Sequence, residues 1–163
     1  MKNLLSLLPI SLLALALPAA AQDDAKWNTA VPADIVILQS TRSYATALKT
    51  ARQAAARLHT KLDLEGNLPH PTAGLTISKA DCVADGYDYP SYLARGDGSI
   101  DETPFVSIEY STAYEGFAKG YYIVVAAVGK PGSAAVQRTK ATAKAYYPDA
   151  YAKRTRVWFG CMH

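Results

Sequence analysis

The side chains best suited to chemistry are concentrated in the middle of the chain, among glycines, prolines and tyrosines. Two carboxylates held about 5–10 Å apart would suit hydrolysis of a glycosidic bond. Six carboxylates lie within residues 81–102: Asp81, Asp85, Asp88, Asp97, Asp101 and Glu102. Their spacing selects no pair, and the sequence contains neither Gly-x-Ser-x-Gly nor Ser-x-x-Lys. We therefore predict a protein that is not an enzyme and that uses no cofactor.

The N-terminal residues have the pattern of a cleavable export signal. Lys2 precedes an apolar stretch at residues 4–17, and small residues at 19–21 precede Gln22. The alternative readings are a core helix or a membrane anchor. We predict a signal peptide over residues 1–21, with cleavage between Ala21 and Gln22. The mature chain, residues 22–163, is then expected in the periplasm or outside the cell, with no membrane span.

Export changes the interpretation of the two cysteines, Cys82 and Cys161. Outside the cytoplasm they are expected to form a structural disulfide, which closes a loop of about 80 residues and stabilises by roughly 4–5 kcal/mol. A metal site and a catalytic thiol are the alternatives. No metal site is predicted, because none of the three histidines has ligand spacing to either cysteine.

Charge is distributed unevenly along the mature chain. Residues 63–115 carry ten Asp and Glu against two Lys and Arg, whereas residues 116–163 carry eight Lys and Arg against one Asp. Residues 22–62 are also basic, with six Lys and Arg against three Asp. The opposite charges either solvate each other across the fold or form a surface dipole that steers a charged partner. Nucleic acid is not a predicted partner.

Hydrophobic periodicity divides the mature chain into strands and two long helices. β-rich runs occupy residues 35–39, 105–111, 121–128 and 151–159, and amphipathic helices are predicted over 43–62 and 133–147. We predict an N-terminal arm at residues 22–33 and a single domain at 34–163, with an insertion over about 64–104. Within that insertion, 74–80 has the pattern of a strand that either joins the main sheet or does not, and 81–104 that of an irregular loop.

The strand and helix that open the domain recur later at a constant offset of 88 residues. The identities are Ile35 with Ile123, Val36 with Val124, Ala47 with Ala135 and Ala55 with Ala143. An internal βα duplication of this kind predicts an α+β fold, with an antiparallel sheet and both helices on one face. This is the ferredoxin-like arrangement, here with a long inserted loop.

At these residues the chain resembles a SPOR domain, the sporulation-related repeat module of the bacterial envelope. The resemblance rests on residues 121–125, a glycine-rich break, the helix that follows, and Pro148-Asp149-Ala150-Tyr151. In the first half, residues 39–42 replace the Gly-Ser-Phe-like turn of the family. The resemblance implies binding of peptidoglycan glycan strands through the open face of the sheet.

The alternation of side chains along each strand predicts which residues lie on that open face. The candidates are Gln39, Ser107, Glu109, Arg154, Arg156 and Trp158. Amide and guanidinium groups donate to sugar hydroxyls, and an indole face stacks on a pyranose ring. The alternative is that Trp158 covers an edge of the core and the arginines solvate the sheet.

A second hypothesis assigns the function to the insertion. Acidic, tyrosine-rich loops make good protein-binding surfaces, so the chain is alternatively a periplasmic inhibitor or immunity protein that binds a cell-wall-degrading enzyme or a toxin. The candidate contacts are Tyr87, Tyr89, Tyr92, Asp97, Asp101 and Glu102. The tyrosines alternatively cap the core beneath the loop. The sequence predicts no oligomeric state.

Overall fold

The computed structural model describes residues 30–92, 94–95 and 103–158. These residues form an α+β fold with a mixed five-stranded sheet, a separate two-stranded sheet and three α-helices. The strands are β1 Ala30–Thr41, β2 Lys61–Leu62, β3 Leu68–His70, β4 Gly74–Thr76, β5 Phe105–Tyr110, β6 Tyr122–Gly129 and β7 Tyr151–Trp158. The helices are α1 Tyr44–Arg57, α2 Lys79–Ala84 and α3 Ala134–Lys144.

The main sheet has the strand order β2-β5-β6-β1-β7. All its neighbours are antiparallel except the short β2, which runs parallel to β5. The sheet is therefore mixed, whereas the sequence predicted a purely antiparallel one. β1 is also longer than predicted: it begins at Ala30, within the predicted arm, because Ala30 to Ala33 pair with Trp158 to Thr155 of β7.

Helices α1 and α3 pack on the same face of the main sheet. The hydroxyls of Ser43 and Ser133 cap them, accepting backbone N–H bonds of 3.3 Å from Thr46 and Val136. The buried side of α1 is almost entirely alanine, which lets the helix lie close to Val36, Val106 and Val124 of the sheet; its buried residues are Ala47, Ala51, Ala54 and Ala55. This packing forms the first hydrophobic core.

A second core covers the opposite face of the sheet, which the sequence predicted to be open. Ile35, Ile123 and Val125 face this core, and Tyr114 and Phe117 from the turn between β5 and β6 pack over them. The inner strands are apolar on both sides, so both faces must be covered to remove them from water. The prediction of an open sheet face is therefore wrong over the centre of the sheet.

The insertion folds as its own unit against β5. β3 and β4 pair only with each other, so residues 74–80 do not extend the main sheet. Gly74 has φ +80°, and a Cβ there would lie 2.3 Å from the ring of Tyr110. The Tyr122 hydroxyl donates a 3.0 Å hydrogen bond to the Gly74 carbonyl, which fixes the hairpin to the sheet. Helix α2 occupies the end of the predicted strand at 74–80 and the start of the predicted irregular loop at 81–104.

Candidate binding groove and a buried polar cluster

An irregularity in β1 decides where Gln39 lies. The pairing with β6 shifts around Ile37, so that Gln39 pairs with Val124 while Leu38 has no partner on β6. Val124 belongs to the core beneath the helices, so Gln39 shares that side of the sheet. Strict alternation had placed Gln39 on the opposite face, and that assignment is wrong because a β-bulge adds a residue to the strand.

Gln39 lines a groove of about 470 Å³ at one end of the sheet. The groove is formed by the end of β1, by α1 and by the connection from α3 to β7. Its lining residues are Leu38, Gln39, Ser40, Thr50, Tyr146, Tyr147, Pro148, Asp149 and Tyr151. Hydroxyl, amide and carboxylate groups thus lie beside three tyrosine rings.

Two of the groove tyrosines present their rings to solvent. Tyr146 is 47% exposed and Tyr151 is 43% exposed. The guanidinium of Arg57 lies 5.9 Å from the ring centroid of Tyr146 and 5.8 Å from that of Tyr147. These cation–π contacts orient the rings from the helix side and leave their other surfaces to the groove.

Two polar atoms of the groove residues have no hydrogen-bond partner among the described residues. They are Oε1 of Gln39 and the hydroxyl oxygen of Tyr147, and both are buried. Leaving such an atom unpaired costs about 1–3 kcal/mol. A polar ligand that reached the base of the groove, with a small rotation of either side chain, would remove this cost.

A second depression, of about 260 Å³, lies on the other side of the same sheet end. Ser40 and Tyr151 line both depressions and therefore lie between them. β7 begins opposite Ile37, so the last four residues of β1 have no neighbour on that side. This open strand edge makes the end of the sheet accessible from both faces.

Glu109 lies in a buried polar cluster away from the groove. Its carboxylate oxygen Oε2 accepts hydrogen bonds from the hydroxyls of Tyr92 and Tyr114, the latter at 3.0 Å. The backbone N–H of Arg95 donates a third bond of 3.0 Å to the same oxygen. Burial, together with the nearby carboxylate, raises the pKa of both tyrosines well above the ordinary value. Glu109 is completely buried.

Arg95 joins this cluster to β5. Its Nη1 donates to the Phe105 carbonyl at 2.8 Å and to the Ser107 hydroxyl at 3.4 Å. The guanidinium also lies 3.5 Å from the Phe105 ring centroid, and burial lowers the pKa of Arg95. Ser107 and Glu109 do point away from the helices, as the alternation predicted. They are covered by the insertion, however, so they do not form a sugar-binding surface.

The arginines of β7 lie on the helix side of the sheet. Arg154 forms a 2.9 Å ion pair with Asp34, whose pKa is lowered by this hydrogen bond. Arg156 donates to the carbonyl of Ala30. The sequence had placed both on the other face, because Val157 was assumed to face the helices, whereas Val157 faces the second core. Trp158 ends β7, and its side chain lies outside the described residues.

The insertion exposes much of its apolar surface. Of the six large hydrophobic residues exposed in the described chain, Tyr146 and Tyr151 line the groove. The other four belong to the insertion: Leu68, Val83, Tyr87 and Tyr89. Among the protein-contact candidates Tyr87 and Tyr89 are therefore exposed, and Tyr92 is half-buried with its hydroxyl bonded to Glu109. Asp97, Asp101 and Glu102 lie outside the described residues.

Cys82 is buried in α2 and has no disulfide partner within the described residues. Cys161 lies outside them, so the disulfide stays a prediction. In the same part of the chain, no helix is long and apolar enough to cross a membrane. The described side chains likewise contain no group of three or more His, Cys, Asp or Glu that could hold a metal ion.

The groove tyrosines Tyr146, Tyr147 and Tyr151 were not among the binding residues predicted from the sequence. The sequence signal for these tyrosines is the run Tyr-Tyr-Pro-Asp-Ala-Tyr at residues 146–151, shortly after α3, where three aromatic rings lie close to a proline that prevents the helix from continuing. Comparison with known proteins adds no further indication: no protein-family model, no curated protein and no solved structure matches this chain.

Proposed function

We propose that this protein is a non-enzymatic binding protein that holds peptidoglycan glycan strands in the groove at the end of the sheet. The observation that carries the proposal is the pair of unpartnered atoms, Gln39 Oε1 and Tyr147 Oη, beside two exposed tyrosine rings. The export signal and the disulfide between Cys82 and Cys161 belong to the same proposal, since they would adapt the chain to the bacterial envelope.

The groove chemistry suits an N-acetylated sugar. A pyranose ring has an apolar C–H face that stacks on aromatic rings such as Tyr146 and Tyr151. Its acetamido N–H would donate to Gln39 Oε1, and its hydroxyls would pair with Asp149 and Thr50. The volume of about 470 Å³ falls within the range of about 300–1,000 Å³ that is typical of small-ligand sites.

The connectivity also supports the proposal. Without β2, the strand order is β5-β6-β1-β7, and α1 and α3 pack on one face. This order is the one expected of a ferredoxin-like, SPOR-like domain built from two βα units. Because the second core covers the centre of the sheet, we assign the glycan to the groove at the sheet end instead of to an open face.

Co-sedimentation with purified peptidoglycan, intact and stripped of stem peptides, tests this proposal. We expect the protein to bind both, and Tyr146→Ala with Tyr151→Ala to weaken binding about tenfold or more, since each ring contributes roughly 1 kcal/mol. The matched control is Tyr87→Ala with Tyr89→Ala, which removes two exposed rings elsewhere. Absence of binding to either preparation, or equal losses in both double variants, would overturn the proposal.

The exposed apolar side chains of the insertion favour a second candidate, an inhibitor or immunity protein. Four such residues project from one inserted unit that has no role in the main sheet. Here the contact would be made by Tyr87 and Tyr89, and acidic residues such as Asp97 would steer a basic wall hydrolase. The Tyr87→Ala, Tyr89→Ala variant should then lose affinity for a purified basic muramidase while the Tyr146→Ala, Tyr151→Ala variant keeps it. The reverse result would exclude this candidate.

A further inference from the structure

The two long helices present a strongly basic outer surface. The cations are Lys49, Arg52 and Arg57 on α1, and Arg138, Lys140 and Lys144 on α3. Neither helix contains an Asp or a Glu. The fold thus brings together two basic segments that lie about 90 residues apart in the sequence, and it places them side by side on one face of the sheet.

The acidic groups of the described chain lie almost entirely elsewhere. Most belong to the insertion, to β5 or to the turn after it: Asp63, Glu65, Asp81, Asp85, Asp88, Glu109 and Glu115. On the helix side, Asp34 is occupied by Arg154, and Asp149 lines the groove. The outer surface of the two long helices is therefore more basic than the rest of the described chain, where cations such as Lys79, Lys119 and Lys153 are accompanied by carboxylates.

The helix cations are available to an external partner. None of the six forms an ion pair with a carboxylate of the described chain. Arg57 lies over the rings of Tyr146 and Tyr147, and the charge of Lys140 acts on Asp34. Five of the six are exposed and Lys140 is half-buried. Bringing an anion to them would therefore not require the loss of an existing internal salt bridge.

A depression of about 280 Å³ lies between the end of α1 and the side of α3, and its lining includes Leu58, Thr60 and Arg138. Many of the exposed side chains around it are small, such as Ala45 and Ala56 on α1 and Ala134 and Ala141 on α3. No large hydrophobic residue is exposed on either helix. The cations run from Lys49 to Arg57 on α1 and from Arg138 to Lys144 on α3, so they spread over lengths of about 12 Å and 9 Å. Of the six cations, Arg138 lines the depression, whereas Lys49, Arg52, Arg57 and Lys144 are exposed outside it. Charges distributed over the outside of two helices suit contact with a plane of anions.

We propose that the outer face of α1 and α3 docks electrostatically on an anionic phospholipid surface. Each lysine or arginine near such a surface strengthens binding about fivefold, and the attraction decays within a Debye length of about 8–10 Å. The contact is peripheral, because the face offers no apolar side chain for insertion. The face borders the groove at Arg57, which contacts Tyr146 and Tyr147, and the docking does not depend on the proposed glycan binding.

Sedimentation with phosphatidylcholine vesicles, with and without phosphatidylglycerol, tests this proposal on the mature protein. We expect binding only to the anionic vesicles, and loss of that binding as salt is raised. Lys49→Gln with Lys144→Gln should lower the partition coefficient about 25-fold, from the fivefold effect of each charge. The matched control is Lys79→Gln with Lys119→Gln, which removes two exposed lysines outside both long helices and should retain most of the binding.

Three outcomes would overturn the proposal: no binding to anionic vesicles, equal losses in the two lysine variants, or capture by soluble polyphosphate without capture by vesicles. Equal losses would mean that net charge alone drives the association. Peptidoglycan co-sedimentation of Lys49→Gln with Lys144→Gln separates the two proposals, since this variant should keep its glycan binding. Far-UV circular dichroism of each variant shows that it is folded.

Discussion

Replacing Tyr114 by phenylalanine tests a buried polar interaction in the cluster around Glu109. The Tyr114 hydroxyl donates a 3.0 Å hydrogen bond to Glu109, and the tyrosine is only 4% exposed. Phenylalanine keeps the ring and its contact with Phe117, whose centroid lies 5.9 Å away, so the change removes a donor without opening a cavity. The Glu109 carboxylate would then lose one of the three donors to its Oε2.

The expected cost follows from the charge of the acceptor. A hydrogen bond to a charged group contributes about 1.5–3 kcal/mol, so Tyr114→Phe should lower the free energy of unfolding by about 2 kcal/mol. For a domain of this size, that corresponds to a fall of roughly 8 °C in Tm. In a Glu109→Gln background the same change should cost only about 1 kcal/mol, because the bond is then between neutral groups.

Urea denaturation followed by far-UV circular dichroism measures both costs. Tyr87→Phe, which removes a hydroxyl from an exposed tyrosine, is the control and should leave the midpoint unchanged within error. If Tyr114→Phe lowers the free energy of unfolding equally in the wild-type and Glu109→Gln backgrounds, the stabilisation by the Tyr114 hydroxyl does not come from a bond to a charged carboxylate. The assignment of Glu109 as the charged centre of the cluster would then be wrong.

Three further predictions concern pH and backbone strain. Burial raises the pKa of Tyr92. The stability that the protonated Tyr92 contributes is therefore complete below about pH 10 and is lost at higher pH. Urea midpoints that stay constant into strong alkali would contradict this. Because the pKa of Asp34 is lowered, its contribution to the free energy of unfolding is present above about pH 4 and is lost as the pH falls. Asp34→Asn should therefore make the urea midpoint depend less on pH in acid. An unchanged pH dependence of the midpoint would count against the ion pair. Gly74→Ala should lower the free energy of unfolding by more than about 2 kcal/mol, because φ is positive there and the new Cβ would overlap the Tyr110 ring. Gly66→Ala is the control: φ is also positive, at +69°, but the space is free, so it should lower the free energy of unfolding by only about 1 kcal/mol. Equal costs in thermal melts would refute the overlap.

The sequence predicted the elements that depend on local interactions. The predicted N-cap Ser43 and the 3.6-residue apolar period located the start of each long helix within one residue, since capping and periodicity involve residues close in sequence. The predicted ends were too late: α1 ends at Arg57 instead of residue 62, because residues 61–62 pair with β5 as β2, and α3 ends at Lys144 instead of residue 147. Strands β5 and β6 were located within one residue at each end. The pattern of α1 also indicated correctly which of its sides is buried.

The same reasoning failed where both sides of a strand are buried. The run Ile35-Val36-Ile37-Leu38 is apolar at every position, so its alternation does not report which side faces the helices, and nothing in its composition marks the bulge. Val157 was likewise assigned to the helix side of the sheet, whereas it packs in the second core. Coverage of the second face depends on Tyr92 and Tyr114, which contact Glu109 from separate loops, and such non-local contacts leave no periodic signal.

The candidate groove was only partly predictable for a related reason. Gln39 was identified as a ligand-binding candidate, yet its neighbours Thr50 and Tyr146 come from two other elements. Those residues approach Gln39 only after the helices have packed on the sheet. Their types are ordinary for amphipathic helices, so the individual residues carry no functional signal.

The pairing of Ala30 with Trp158 determines how the domain would respond to mechanical load. β1 and β7 are antiparallel neighbours, and the chain enters the first and leaves the second at the same end of the sheet. A force that separates these two ends would break the β1–β7 hydrogen bonds one after another, as in a zipper, and would not load them together in shear. The strand pair would open at low tension, and opening would travel toward Tyr151 and reach the groove last.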